Sequence, residues 1–120
     1  MKQKFKIAIP ELPIDRSTLP SHIFDECELL EGDKAVRGDN AQLMKYIDEV
    51  DAIIFNSSNT IDAELMKAAP KLKIVFKSGA RPENVDYAYA KAHDIAVGWT
   101  PAANAQSVAE YTILLMMAAL

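Results

Sequence analysis

An α/β fold with one parallel sheet and helices on both faces is predicted by two features of this 120-residue chain. Short apolar, β-branched runs alternate with helical segments from end to end, and the composition is that of a globular domain: half the residues hydrophobic, a quarter charged. A chain of this length is one domain and removes roughly 65–70% of its unfolded surface from water. Right-handed crossovers then connect the strands.

The elements follow in order. Phe5 to Ile9 mixes alternation with β-branched residues and stops at Pro10, which reads as a first strand. Pro13, Pro20 and the polar residues between them predict an irregular connection, with at most a short helix near Ser21 to Phe24. Cys27 to Leu30 reads as a second strand, followed by a turn at Gly32 and Asp33. Asp39 and Gln42 have capping-box spacing, and Leu43, Met44, Ile47 and Val50 fall on one helical face. Ala52 to Phe55 is a short apolar strand ended by Asn56, Ser57, Ser58 and Asn59. Asp62 to Ala69 is a helix closed by Pro70, since the residue before proline is pushed out of the α region. Leu72 to Phe76 forms the next strand. Pro82 suits the first turn of a helix whose apolar stripe is Val85, Ala88, Tyr89 and Ala92. A strand at Ile95 to Trp99, a Thr-Pro step and a strongly apolar helix reaching Leu120 complete the pattern.

Charge and composition exclude several classes. Thirteen basic against seventeen acidic residues give a net charge of −4 with no basic run, so nucleic acid is not an expected partner. One cysteine, Cys27, rules out an internal disulfide, and His22 and His93 have no ligand-like neighbours, which fits a metal-free cytoplasmic protein. The start, MKQKFKIAIP, has no small-residue cleavage site and does not read as a signal peptide. The longest apolar run, Ile113 to Leu120, has eight residues, far short of the about 20 that span a bilayer.

Ligands of open parallel sheets collect at the carboxyl ends of the strands, which directs attention to Asn56–Asn59, Ser78–Arg81 and Thr100–Asn104. Gly79 would let backbone N–H groups turn toward an anion, and Pro82 would open a helix whose dipole favours negative charge. A plain chain turn at Gly79 accounts for the same spacing. Asn104 is placed to cap the last helix through its side-chain oxygen, and Ser57 and Ser58 to form turns. Arg81 could clamp an acidic ligand or stay solvated; Glu110 pairs locally; His93 compensates a helix dipole; Tyr87 and Tyr89 divide between rim and core. With only Gly32, Gly38, Gly79 and Gly98 available, no G-x-G-x-x-G fingerprint can be written, nor is there a set of residues for nucleophilic catalysis.

The segment APKLKIVFKSGARPENVDYAYAKAHDIAVGWTPAANAQSVAEYTILLMMAAL (Ala69 to Leu120) resembles the substrate-binding domain of the D-2-hydroxyacid dehydrogenases. Its most specific part is T-P-x-x-N-x-x-S-V-A-E-x-T, Thr100 to Thr112, and the similarity extends back through Val50 and more weakly to Phe5. The resemblance implies a flavodoxin-like domain over residues 1–120 that forms one wall of a cleft, with the helix of 102–120 leading into a Rossmann domain that these residues do not include. That second domain would hold NAD or NADP and the catalytic Arg, Glu and His, so no catalytic residue is expected here. The substrate would be a small 2-hydroxy or 2-keto acid.

By the same resemblance, Ser78, Gly79, Ala80 and Arg81 present N–H groups to the substrate carboxylate, Ser57 and Asn104 contact the substrate, and Val108 and Thr112 approach the nicotinamide. Two positions depart from the family. Arg81 replaces the second glycine of R-x-G-x-G-x-D-N-x-D and would project near the entrance; Asn56-Ser57 replaces an Arg-Ser step, which makes 3-phosphoglycerate less attractive. The alternative is a stand-alone flavodoxin-like module that dimerises through its final helix, Ile113 to Leu120 being apolar all round. A receiver domain is rejected, because Asn56 stands where it needs an acid and Trp99-Thr100 where it needs a lysine.

Overall fold

Five parallel strands form where the apolar runs are: β1 (Phe5–Ile9), β2 (Cys27–Glu31), β3 (Ala52–Phe55), β4 (Ile74–Lys77) and β5 (Ala96–Trp99), in the spatial order β2-β1-β3-β4-β5. The computed structural model describes residues 3–10, 15–31 and 40–120, so the turn at Gly32 and Asp33 and the capping carboxylate of Asp39 lie outside the described residues. Helices α1 (Ile23–Glu26), α2 (Ala41–Met44), α3 (Ala63–Lys67), α4 (Tyr87–Ala92) and α5 (Ala105–Ala118) alternate with the strands. The chain steps one way from β1 to β2 and the other way from β3 to β5. With right-handed crossovers, that reversal puts α1 on one face and α2, α3 and α4 on the other, the flavodoxin-like arrangement.

Register assigns the faces. Ala8 pairs with Ile53, Ile53 with Val75, and Phe55 with Lys77, so these side chains share the face under α2 to α4. The core sits there: Ile53, Phe55 and Val75 meet Leu43, Ile47, Ile61, Leu65, Met66 and Ala90 from the connecting segments. The opposite face carries Ala52, Ile54, Ile74, Phe76, Ala96 and Gly98, none of them fully buried.

Three helices differ from expectation. The segment after Asn40 makes a single α-turn, swings at Tyr46 and continues as a 3₁₀ turn at Ile47–Glu49. Leu43, Ile47 and Val50 are buried as their spacing predicts, but the break rotates Met44 out to 45% exposure. Pro82 does not open a helix. Instead Asn84 and Asp86 form a parallel bridge around Val85 with Ile61, the Ile61 N–H donating to Asn84 O at 2.8 Å and the Asp86 N–H to Ile61 O at 3.0 Å. Residues committed to that bridge cannot close helical turns, so α4 starts only after Asp86, whose carboxylate accepts the Tyr89 N–H at 3.0 Å. Ala88 and Ala92 are consequently exposed, while Ala90 is buried and Tyr87 and Tyr89 are both half-buried against the core. Asp62 caps α3 in the same way through the Leu65 N–H at 2.9 Å.

The third difference is α5. Every residue of it is exposed, so this apolar 14-residue helix leaves the body of the domain and stretches the molecule to 60 Å in its long dimension. Asn104 occupies the N-cap position but makes no side-chain capping bond; at φ −114°, ψ 12° its backbone lies outside the extended region from which a cap side chain reaches back. Glu110 pairs locally, accepting from Gln106 Nε2 at 3.0 Å. No helix among the described residues is long and apolar enough to cross a membrane.

Candidate functional site

The carboxyl ends of β3 and β4 open into a cavity of about 450 Å³ lined by Ser57, Lys77, Ala80, Arg81, Glu83 and Asn84. Its shape begins in local turns. Asn56 Oδ1 accepts the Ser58 N–H at 2.8 Å, an Asx-turn that leaves Ser57 exposed at the tip. Behind it Asn59 is fully buried; its carbonyl accepts from Asn84 Nδ2, and its amide donates to Asn40 Oδ1 at 3.4 Å. The Asn84 bond ties the β3 loop to the segment that follows Pro82, and the Asn40 bond ties it to the start of α2. The two loops therefore form one wall.

The β4 loop turns at Gly79, whose φ of +124° L side chains rarely adopt. Two of the four N–H groups expected to face a carboxylate are consumed internally. Ser78 N–H donates to Phe55 O at 2.9 Å, extending the β3–β4 ladder, and Gly79 N–H donates to Thr100 Oγ1 at 2.8 Å. Among the described residues, the N–H groups of Ala80 and Arg81 meet no hydrogen-bond acceptor. The Arg81 guanidinium lies over the Tyr87 ring, 5.0 Å from its centroid, and the Tyr87 hydroxyl in turn donates to Pro82 O at 2.6 Å. Arg81 thus lines the cavity from a braced position.

Sequence reasoning missed Lys77. It is 9% exposed, faces the core side at the end of β4, and brings a second cation to the cavity. Its in-register neighbour Phe55 is wholly buried, and strand alternation alone could have pointed Lys77 at that face. A helix dipole does not contribute, because no helix begins at Pro82. What remains is the Ala80–Arg81 backbone, two basic side chains and a hydroxyl around a space roomier than a small acid needs, with Glu83 as the one acidic residue in its lining.

The remaining predicted residues lie along the chain that departs from this edge. Thr100 is hydrogen-bonded to Gly79, so the turn carrying Asn104 leaves from the same carboxyl edge as the β4 loop. Asn104, Val108 and Thr112 do not line the cavity; they are exposed, and Thr112 Oγ1 donates to Val108 O at 2.7 Å within α5. Among the described residues, Val108 and Thr112 lie on one exposed helix, and the Gly79 turn spends its N–H on Thr100.

A second cavity, about 500 Å³, lies at the opposite, amino-terminal edge between Lys4, Phe5, Asp51, Lys73, His93 and Asp94. There His93 is occupied as a helix terminator, its Nδ1 2.9 Å from Tyr89 O and its ring stacked on Tyr89 at 3.8 Å. Its lining sets lysines Lys4, Lys71 and Lys73 against Asp51 and Asp94. Among the described residues no group of His, Cys, Asp and Glu could hold a metal.

Comparison with known proteins identifies the family and the fold. Residues 18–116 match the model of the D-isomer specific 2-hydroxyacid dehydrogenase catalytic domain. Over 81 residues the chain is 41% identical to the D-3-phosphoglycerate dehydrogenase of Mycobacterium leprae, covering 68% of this chain and 15% of that protein. Over 77 residues it is 40% identical to the hydroxypyruvate reductase of Thermotoga maritima, covering 64% and 25% respectively. Among solved structures, the NAD+-bound 3-phosphoglycerate dehydrogenase of Entamoeba histolytica superposes with a TM-score of 0.75 at 27% identity, over 95% of this chain and 38% of that one. The NADPH-dependent glyoxylate/hydroxypyruvate reductase of Sinorhizobium meliloti, in complex with NADP and malonate, gives 0.71 at 26% identity, over 96% and 34%. The chain spans between about a seventh and two fifths of these relatives. The family match across 18–116 and the sheet order agree, and the chain belongs to the D-isomer specific 2-hydroxyacid dehydrogenases.

Proposed function

We propose that residues 1–120 are the acid-binding wall of an NAD- or NADP-dependent D-2-hydroxyacid dehydrogenase. The carboxylate of a small 2-hydroxy or 2-keto acid docks on the N–H groups of Ala80 and Arg81, with Ser57, Lys77 and the Arg81 side chain around it. The observation that carries this reading is the pair of unpartnered loop amides beside two cations at the carboxyl edge of β4. Ser78 and Gly79 shape the loop rather than donate. Asn104, Val108 and Thr112, on the segment leaving Thr100, meet the substrate and the nicotinamide only when a cofactor-holding domain outside these residues stands across the cleft. This chain contributes binding and orientation of the acid; the nicotinamide group supplies the hydride chemistry when bound elsewhere.

The test is calorimetric titration of the 120-residue chain with glyoxylate. Binding weakened roughly two- to fivefold in Arg81→Ala, and more in a double variant with Lys77→Met, supports the reading. Equal affinity in parent and variants contradicts it.

The exposed apolar surface of α5 supports a homodimer built on that helix, with Tyr111, Leu114 and Met117 each at least 60% exposed. Light scattering that returns a concentration-independent monomer mass would sink that part of the proposal alone. The soluble, cytoplasmic setting belongs to the same reading.

A further inference from the structure

The strongest unexplained feature near the site is Thr100. Its side chain and backbone together make three hydrogen bonds to one residue: Gly79 N–H to Thr100 Oγ1 at 2.8 Å, Thr100 Oγ1–H to Gly79 O at 3.1 Å, and Thr100 N–H to Gly79 O at 3.0 Å. Gly79, with its φ of +124°, thereby has both its amide and its carbonyl taken. A hydroxyl that accepts and donates at once can do this; neither valine nor alanine can.

Thr100 is also placed between two rigid parts. Upstream, Trp99 is fixed in register against Lys77, so β5 delivers Thr100 to the mouth of the β4 loop. Downstream stands Pro101, which biases the residue before it toward extended backbone and lacks an N–H of its own. The turn then passes through Ala102 at φ 56°, a left-handed conformation costly for a residue with a Cβ, before α5 begins. Through Thr100 the loop offered to the ligand and the hinge that aims α5 share one set of hydrogen bonds.

We propose that Thr100 is a positioning residue: it pins the Gly79 peptide so that the Ala80 and Arg81 amides face the cavity, and it fixes that loop to the hinge preceding α5. The inference rests on the reading of the loop as a carboxylate site, and its test separates the two. Thr100→Val removes both side-chain bonds at nearly constant volume, Thr100→Ser keeps them, and Thr100→Ala stands in should the valine variant fail to fold. Native amide dispersion at Ile53 and Val75 establishes folding in each.

In the ligand-free 120-residue chain, the Gly79 amide of the valine variant exchanges with solvent at least about fivefold faster than in the parent, while the serine variant stays parental. Glyoxylate affinity falls about two- to tenfold in the valine variant and returns in serine. Parental Gly79 exchange in a folded valine or alanine variant overturns the inference, as does a serine variant that behaves like valine. A parent chain that binds no glyoxylate defeats the carboxylate reading, and the exchange measurement then decides the pinning of Gly79 by itself.

Discussion

Replacing Gly79 with alanine separates backbone conformation from packing, because a Cβ built at this position meets nothing within 4 Å. Sterically the substitution is free; conformationally it is not. Holding φ at +124° with a Cβ present costs about 1–3 kcal/mol, the range for a residue forced into a sparsely populated backbone region. The chain has one way to avoid that cost, which is to rotate the Gly79 peptide to negative φ. Rotation breaks the bonds to Thr100 Oγ1 and Thr100 N–H, each worth about 0.5–1.5 kcal/mol. The two routes have similar cost, so urea unfolding of Gly79→Ala should show a loss of about 1–3 kcal/mol with an unchanged m-value. Amide spectra identify the route: a retained φ leaves the Thr100 resonance in place, and a rotated peptide moves it along with Ala80 and Arg81. A variant as stable as the parent, with parental shifts at Thr100, Ala80 and Arg81, would refute the claim that this loop is held in a glycine-only conformation.

Gly98, inside β5, obeys packing instead. A Cβ on Gly98 would stand 2.6 Å from Phe76 Cδ2 in the neighbouring strand, so Gly98→Ala should cost about 1–3 kcal/mol in urea unfolding, and Phe76→Leu in the same chain should recover part of it. Acid should erode stability through two carboxylates. Hydrogen bonds from the Ser17 hydroxyl and N–H hold Asp15 below its ordinary 3.8, and the Lys6 ammonium holds Glu49 below its ordinary 4.5. Both pKa values are depressed on folding, so their contribution is complete above the unfolded values and is lost as pH falls from about 4.5 through the folded ones. Carboxyl titration by NMR should return Asp15 toward 3.8 in Ser17→Ala, and an unmoved Asp15 would contradict the assignment. Finally, the 120 residues alone, supplied with NADH and glyoxylate, should oxidise no NADH in a spectrophotometric assay; steady turnover would show that catalytic groups are present in this chain.

How much was legible follows from the range of the interactions involved. The strands were readable because apolar β-branched runs specify a buried sheet locally, and β1 and β3 begin and end where their sequences say. Helix starts set by a nearby carboxylate were equally local: Asp62 caps α3 from within the same segment. The Pro82 helix failed because its sequence signal competes with a bridge to Ile61, 24 positions distant from Val85, which nothing near Pro82 announces. Asn104 failed as a cap for a related reason, its backbone being shaped by the Ala102 turn before it. At the candidate site, the loop Ser78–Arg81 is singled out by its glycine and its place after a strand. Which of its amides are spoken for depends on Thr100, 21 residues away, and could not be read from the loop. Lys77 was passed over because a lysine is ordinarily solvated, although it stands two residues after buried Val75 on the same face of the strand.

The account stands on a carboxylate meeting the amides of Ala80 and Arg81, and a titration of the 15N-labelled chain with glyoxylate reads that contact residue by residue. Saturable shifts should centre on Ala80, Arg81 and Ser57, with Lys4, Lys73 and His93 at the far edge of the sheet left in place. Shifts confined to that far edge, or none at all up to millimolar acid, would contradict it.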